Sequence, residues 1–137
     1  MATPLERVVY RSDSVGPNEG PMDLSLIVAS SVRNNGRHHL TGALALHDRV
    51  FVQVLEGEPE ALTALMETIE TDERHRNVRV LARWPVPSQL FVGWAMVQVD
   101  TRRLSPHLAK LLIQTGSGAQ VTGVMADMAN ARLGSLT

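Results

Sequence analysis

RVFVQVLEGEPEALTALMETIETDERH, residues 49–75, changes its hydrophobic period once, and that change decides the fold. From Val50 to Leu55 the side chains alternate as on a strand, with Val50, Val52 and Val54 on one face and Phe51, Gln53 and Leu55 on the other. From Pro59 onward Leu62, Leu65, Met66 and Ile69 form a helical stripe, and Pro59 suits a first turn. One residue breaks the pattern. Gln53 lies between Phe51 and Leu55 on its face, and a carboxamide buried without partners costs roughly 2–7 kcal/mol. Either Gln53 is at an exposed edge, or an interior group hydrogen-bonds to it.

Upstream, HLTGALALHD (residues 39–48) reads as a second strand, joined to the first by a tight turn at His47–Arg49. ERVVYRS (6–12) is a strand rich in β-branched residues, followed by a Gly/Pro/Asn-rich loop from Asp13 to Pro21. MDLSLIVASSVRNNG (22–36) is a helix with Asp23 as cap, Gly36 just past its end and Leu24, Ile27, Val28 and Ser31 on one stripe. Downstream come a strand at NVRVLAR (77–83), a proline-bearing loop at WPVPSQLFVG (84–93) and a last strand at WAMVQVD (94–100).

The order β-α-β-β-α-β-β predicts an α+β fold, a ferredoxin-like mixed sheet with two helices on one face. Two short C-terminal helices follow. In LSPHLAKLLIQTG (104–116) Ser105 caps, Pro106 starts and Gly116 stops the helix; in the next, Val121, Val124, Met125 and Met128 recur at helical spacing. They either cover the open face of the sheet or bind a partner. Residues 1–100 are read as one domain, and residues 101–137 as a helical extension.

The 137-residue chain carries a formal net charge of −1, which offers no electrostatic footprint for nucleic acid or an anionic membrane. It has no cysteine, excluding disulfides and thiol chemistry and fitting a reducing compartment. No apolar run approaches the ~20 residues of a membrane span and no signal-peptide core is present, so a cytoplasmic location is expected.

An enzyme is hard to assemble from these residues. The five histidines, His38, His39, His47, His75 and His107, show no metal-ligand spacing, and no metal is expected. Nucleophile-elbow, phosphate-loop and dinucleotide motifs are missing, and the acidic run ETIETDERHR reads as a solvated helix end. A different set converges. Tyr10 is on the first strand and Gln53 on the third, which are neighbours in a ferredoxin-like sheet. Asn34 and Asn35 end the first helix; Arg74 and His75 follow the second. A phenol and amides around a cleft suit the edge of a flat heterocycle with carbonyl and N–H groups.

These residues are carried by VVYRS, SSVRNNGRHHLTGAL, VFVQVLEGEPEAL, IETDERHRNVRVL and LFVGWAM, and together they resemble the BLUF family of blue-light photoreceptor domains over Leu5 to Val99. The resemblance implies noncovalent FAD, with FMN or riboflavin able to substitute. Ile27 and Ile69 would flank its ring; Asn35 and Gln53 would bond its polar edge, with Tyr10 bonded to Gln53 and the Ser31 hydroxyl nearby. Asp72, Arg74 and His75 match positions near the ribityl and phosphate end. It further implies that light drives electron and proton transfer from Tyr10, that the Gln53 hydrogen bond rearranges, and that the flavin spectrum shifts to the red. Output would pass through Trp94 and Met96 on the last strand to an unidentified signalling partner, or through a homodimer or higher oligomer. Which of those two lies inward in the dark is left open. On the same fold, a light-inactive protein-interaction module is the alternative. An acylphosphatase-like hydrolase would need an anion-binding loop that is not found.

Overall fold

The period-two run at residues 50–55 forms the middle strand of a five-stranded sheet. The computed structural model describes residues 4–14, 39–72, 75–92 and 96–134. The elements are β1 (Leu5–Ser14), β2 (Thr41–His47), β3 (Val50–Gly57), α1 (Pro59–Thr71), β4 (His75–Val86) and β5 (Val97–Gln98). A 3₁₀ turn (Thr101–Arg103), α2 (Pro106–Lys110), a π-helical turn (Leu111–Thr115) and α3 (Gly118–Gly134) follow. The strand order is β4-β1-β3-β2-β5. All neighbours are antiparallel except β2 and β5, so the sheet is mixed, as expected.

β2 and β3 make the expected hairpin. Asp48 and Arg49 both have positive φ, 47° and 66°, the twist that a two-residue hairpin turn requires. Because β3 is central, both of its faces are covered. On one, Val8, Tyr10, Leu44, Phe51 and Leu55 pack with Leu62, Met66 and Ile69 of α1. On the other, Val9, Ala43, Ala45, Val52 and Val54 pack with Leu112 of the π turn and Val121, Met125 and Ala129 of α3. The C-terminal helices therefore lie on the sheet face opposite α1.

Several boundaries differ from those expected. α1 stops at Thr71, and Asp72 closes it by donating its backbone N–H to the Ile69 carbonyl (3.1 Å). β4 then begins at His75 and runs to Val86, so Trp84, Pro85 and Val86 are strand residues, not loop. β4 tolerates Pro85 because it is the edge strand, where a missing N–H need not break a ladder. β1 extends through Asp13 and Ser14, and the last strand shrinks to Val97–Gln98. Ser105 caps α2 as expected, accepting from the Leu108 N–H (3.2 Å). Gly116 ends the segment, as expected. Its φ is −73°, not left-handed, and a Cβ there would stand 2.6 Å from the Leu111 carbonyl oxygen. The helix expected at residues 22–36 lies outside the described residues.

Candidate functional site

Strand alternation places Tyr10 and Gln53 on the α1 face, and register sets them directly opposite each other. The Tyr10 hydroxyl donates to Gln53 Oε1. Gln53 is flanked by strands on both sides, with Leu44 its partner on β2. Its Nε2 donates to Met96 Sδ at 3.5 Å, just ahead of β5. Tyr10, Gln53 and Met96 are 0%, 4% and 6% exposed. The apparent misfit of Gln53 is thereby resolved: it is interior, with its oxygen satisfied by a phenol.

The nitrogen end of that amide is less well satisfied. Nε2 carries two protons, and among the described residues the acceptor it meets is a thioether, a weak one. A buried N–H pair facing sulfur retains capacity for a carbonyl oxygen or ring nitrogen. That donor set fits the polar edge of a flavin, with Ile69 contributing an apolar wall in the same core. The arrangement can also change state. A carboxamide offers a donor and an acceptor on opposite arms, so rotation or tautomerisation exchanges what it presents to the phenol.

Of the other site residues expected from the sequence, Asp72 is the half-buried cap of α1, and His75 opens β4 opposite Ser14. Ile27, Ser31, Asn34, Asn35, Arg74 and Trp94 lie outside the described residues. Of the Trp94/Met96 pair, the described residues include Met96, whose sulfur lies against Gln53.

Two charged groups on the same strands, on the sheet face opposite Tyr10 and Gln53, were not singled out from the sequence. Glu56 is fully buried on β3, with Arg7 of β1 and Thr41 of β2 as its Cα partners. Its Oε2 accepts from Arg7 Nε (2.9 Å) and Nη2 (2.8 Å). Oε1 accepts from Thr41 Oγ1 (3.2 Å) and the Phe91 N–H (3.0 Å), while the Leu90 N–H reaches both oxygens. The carboxylate thus pins the β4–β5 connection to the sheet. Arg11, on β1 beside Tyr10, is 6% exposed and turned to the opposite face. Its guanidinium lies on four backbone carbonyls near α2, and burial, then the charge of Arg79, lowers its pKa. For Glu56 the available signal was register, which sets a charge in an apolar strand opposite Arg7; Arg11 stands opposite Val52 and Arg79, and register offered no counter-charge.

The model of the BLUF family, described as sensors of blue-light using FAD, matches residues 5–97. The photoactivated adenylate cyclase subunit beta of Euglena longa is 31% identical over 116 residues, 82% of this chain; the match spans 14% of that relative's length. Among solved structures, the dark-state structure of BlrB, a BLUF protein, superposes with a TM-score of 0.81 at 28% identity. It covers 95% of this chain and 98% of that one. Klebsiella pneumoniae BlrP1, solved with FMN and cyclic diGMP, gives 0.66 at 36% identity, covering 74% of this chain and 27% of the other.

Proposed function

Because the chain belongs to the BLUF family, sensors of blue-light using FAD, we propose that Tyr10, Gln53 and Met96 form the relay by which it turns absorption into a protein signal. The observation that carries this reading is the buried series from the Tyr10 hydroxyl to Gln53 to Met96 sulfur. Residues 1–100 hold the flavin and residues 101–137 extend from it. FAD is the cofactor of this reading, and the FMN in the BlrP1 structure supports a site that also accepts the shorter flavin.

A bound flavin supplies the blue absorption and, once excited, an oxidant. Tyr10, the only tyrosine in the chain, supplies the electron. Its phenolic proton leaves along the bond to Gln53 Oε1. When both return to Tyr10, Gln53 is left with its donor and acceptor arms exchanged. The cost of going back sets the lifetime of the new arrangement. Met96 feels the exchange first, since it accepts from the Nε2 arm in the starting state. It immediately precedes β5, so the disturbance enters the strand that leads into the C-terminal helices. No substrate is turned over in this scheme. The chain spans a small part of its cyclase relatives, and its output is taken to be association with a separate signalling partner or a second copy.

The test is an absorption spectrum of the FAD-loaded protein before and after blue illumination. A reversible shift to longer wavelength is expected. Tyr10→Phe and Gln53→Leu should both retain flavin and both lose the shift; a normal red shift in the two variants would end the relay model.

A further inference from the structure

Tyr10 and Arg11 are adjacent in sequence and point to opposite faces of the sheet. Tyr10 faces α1 and Gln53, and Arg11 faces the C-terminal helices. Arg11 Nε donates to the Leu112 carbonyl (3.0 Å), Nη1 to Gln114 (3.1 Å), and Nη2 to Leu111 (3.0 Å) and Gly116 (3.0 Å). These carbonyls belong to the π turn and the residue that ends it. Helix ends leave carbonyls without intrahelical partners, and here a buried cation bonds to four carbonyls at the end of the turn, including that of Leu111, which also accepts the Gly116 N–H (2.8 Å). Part of the C-terminal helical segment is therefore held to the sheet through one side chain.

The backbone around this pair is irregular on one side only. Toward β3 the register is continuous from Glu6 to Asp13. Toward β4 it shifts between Val9 and Tyr10, and again between Arg11 and Asp13. The extra residues lie on β4, at Leu81 and between Arg76 and Arg79, so the irregularity brackets the positions where Val80 and Arg79 pair with Tyr10 and Arg11. Tyr10 and Arg11 share a peptide bond, so a backbone change at one is felt directly at the other. π turns are rare and recur at functional sites, and this one needs the close approach that Gly116 permits.

Resting on the light-sensor reading above, we infer that Arg11 is a positioning residue that couples the Tyr10–Gln53 site through the sheet to the α2–π-turn segment, whose clamp loosens in the lit state. The route is separate from the path along β5. It acts on the helices from beneath, at a distance of one residue from the photochemical phenol.

The experiment is hydrogen exchange by mass spectrometry on the FAD-loaded protein, in darkness and under continuous blue light. In the wild type, exchange across residues 106–116 is expected to rise on illumination by roughly tenfold, the size expected from loss of part of a charge-assisted cluster. Arg11→Met, which keeps the stem, should retain the flavin red shift and show the faster exchange already in the dark, with no further light step. Arg11→Lys offers one point charge in place of a fork, and should give intermediate dark protection and a smaller light step. Unchanged protection of β2 and β3 amides shows that the variants are folded. A normal light step in Arg11→Met and Arg11→Lys would overturn the inference, the signal then arriving by β5 alone. So would a wild type with a full red shift and no light step at 106–116. A wild type without any red shift instead defeats the photoreceptor reading and the coupling with it, while equal dark exchange in wild type and Arg11→Met removes the clamp itself.

Discussion

Replacing Glu56 with glutamine keeps the shape of the side chain and removes one acceptor oxygen, which makes it a sharp test of the buried cluster on the sheet face opposite the site. The carboxylate takes two N–H groups from Arg7 on Oε2, and a threonine hydroxyl and the Leu90 and Phe91 amides on or near Oε1. An amide can satisfy one side only. If its oxygen faces Leu90 and Phe91, its NH₂ meets the guanidinium of Arg7, whose side chain is 10% exposed. If it is turned round, the NH₂ meets two backbone N–H groups. Either way donors face donors. Breaking a buried pair by removing one partner costs about 3–5 kcal/mol, and the retained oxygen holds the expected loss to roughly 3 kcal/mol. That is a large share of the ~5–15 kcal/mol that stabilises a domain of this kind, and it corresponds to a fall in Tm of roughly 6–12 °C. Urea unfolding followed by circular dichroism measures it, with an unchanged m-value showing that the denatured state is the same. Arg7 also lies over Trp84, 5.5 Å from the ring centroid, so Arg7→Met keeps apolar contact with that ring while removing the charge. The Arg7→Met/Glu56→Gln double variant should therefore be more stable than the sum of the single losses, by about 1.5 kcal/mol or more. A Glu56→Gln protein within 1 kcal/mol of wild type, or strict additivity in the cycle, would refute the account of Glu56 as a charged anchor.

Beyond the Tyr10, Gln53 and Arg11 variants described above, two further outcomes follow from the packing and the charges. Met125 is fully buried between α3 and the sheet face carrying Val52 and Val54, so Met125→Ala should cost about 2–5 kcal/mol in urea unfolding; a loss under 1 kcal/mol would mean that α3 is not docked there. The Asp13 carboxyl is held below its ordinary 3.8, first by the hydrogen bond from Asn77 (2.9 Å), which burial opposes, and then by the hydrogen bond and charge of Arg79 and the charge of Arg76. A lowered folded pKa means that its contribution to stability is present above pH 3.8 and is lost as pH falls through the lower folded value. Asp13 is half-exposed, its side chain 41% accessible, so the difference between wild type and Asp13→Asn should be small at pH 6 and vanish in strong acid; a difference that grows on acidification contradicts this.

Local patterning carried much of this protein in advance. Alternation from Val50 to Leu55, the helical stripe from Leu62 to Ile69 and the Asp48–Arg49 turn each depend on neighbours a few residues away, and each formed. The pairing of Tyr10 with Gln53 followed from ferredoxin-like strand order, which those elements implied. Pro85 shows where local reading stops. A proline after tryptophan reads as a loop, yet at a sheet edge it is a strand residue. Glu56 and Arg11 show the same limit in charge. Each is one polar residue in an apolar strand until the fold supplies its partners. Those partners are Leu90 and Phe91, 34 and 35 positions from Glu56, and the carbonyls 100 to 105 positions from Arg11. The sequence alone determined the strands around Val9, Ala43 and Val52 and the helix that follows Pro59, which family they resemble, and that a phenol and an amide could meet. Only the tertiary structure decided that Met96 takes the other arm of that amide and that buried charges tie the loop and the C-terminal helices to the same sheet. Periodicity reports a residue's own face; it holds no information about which distant backbone will come to rest on it.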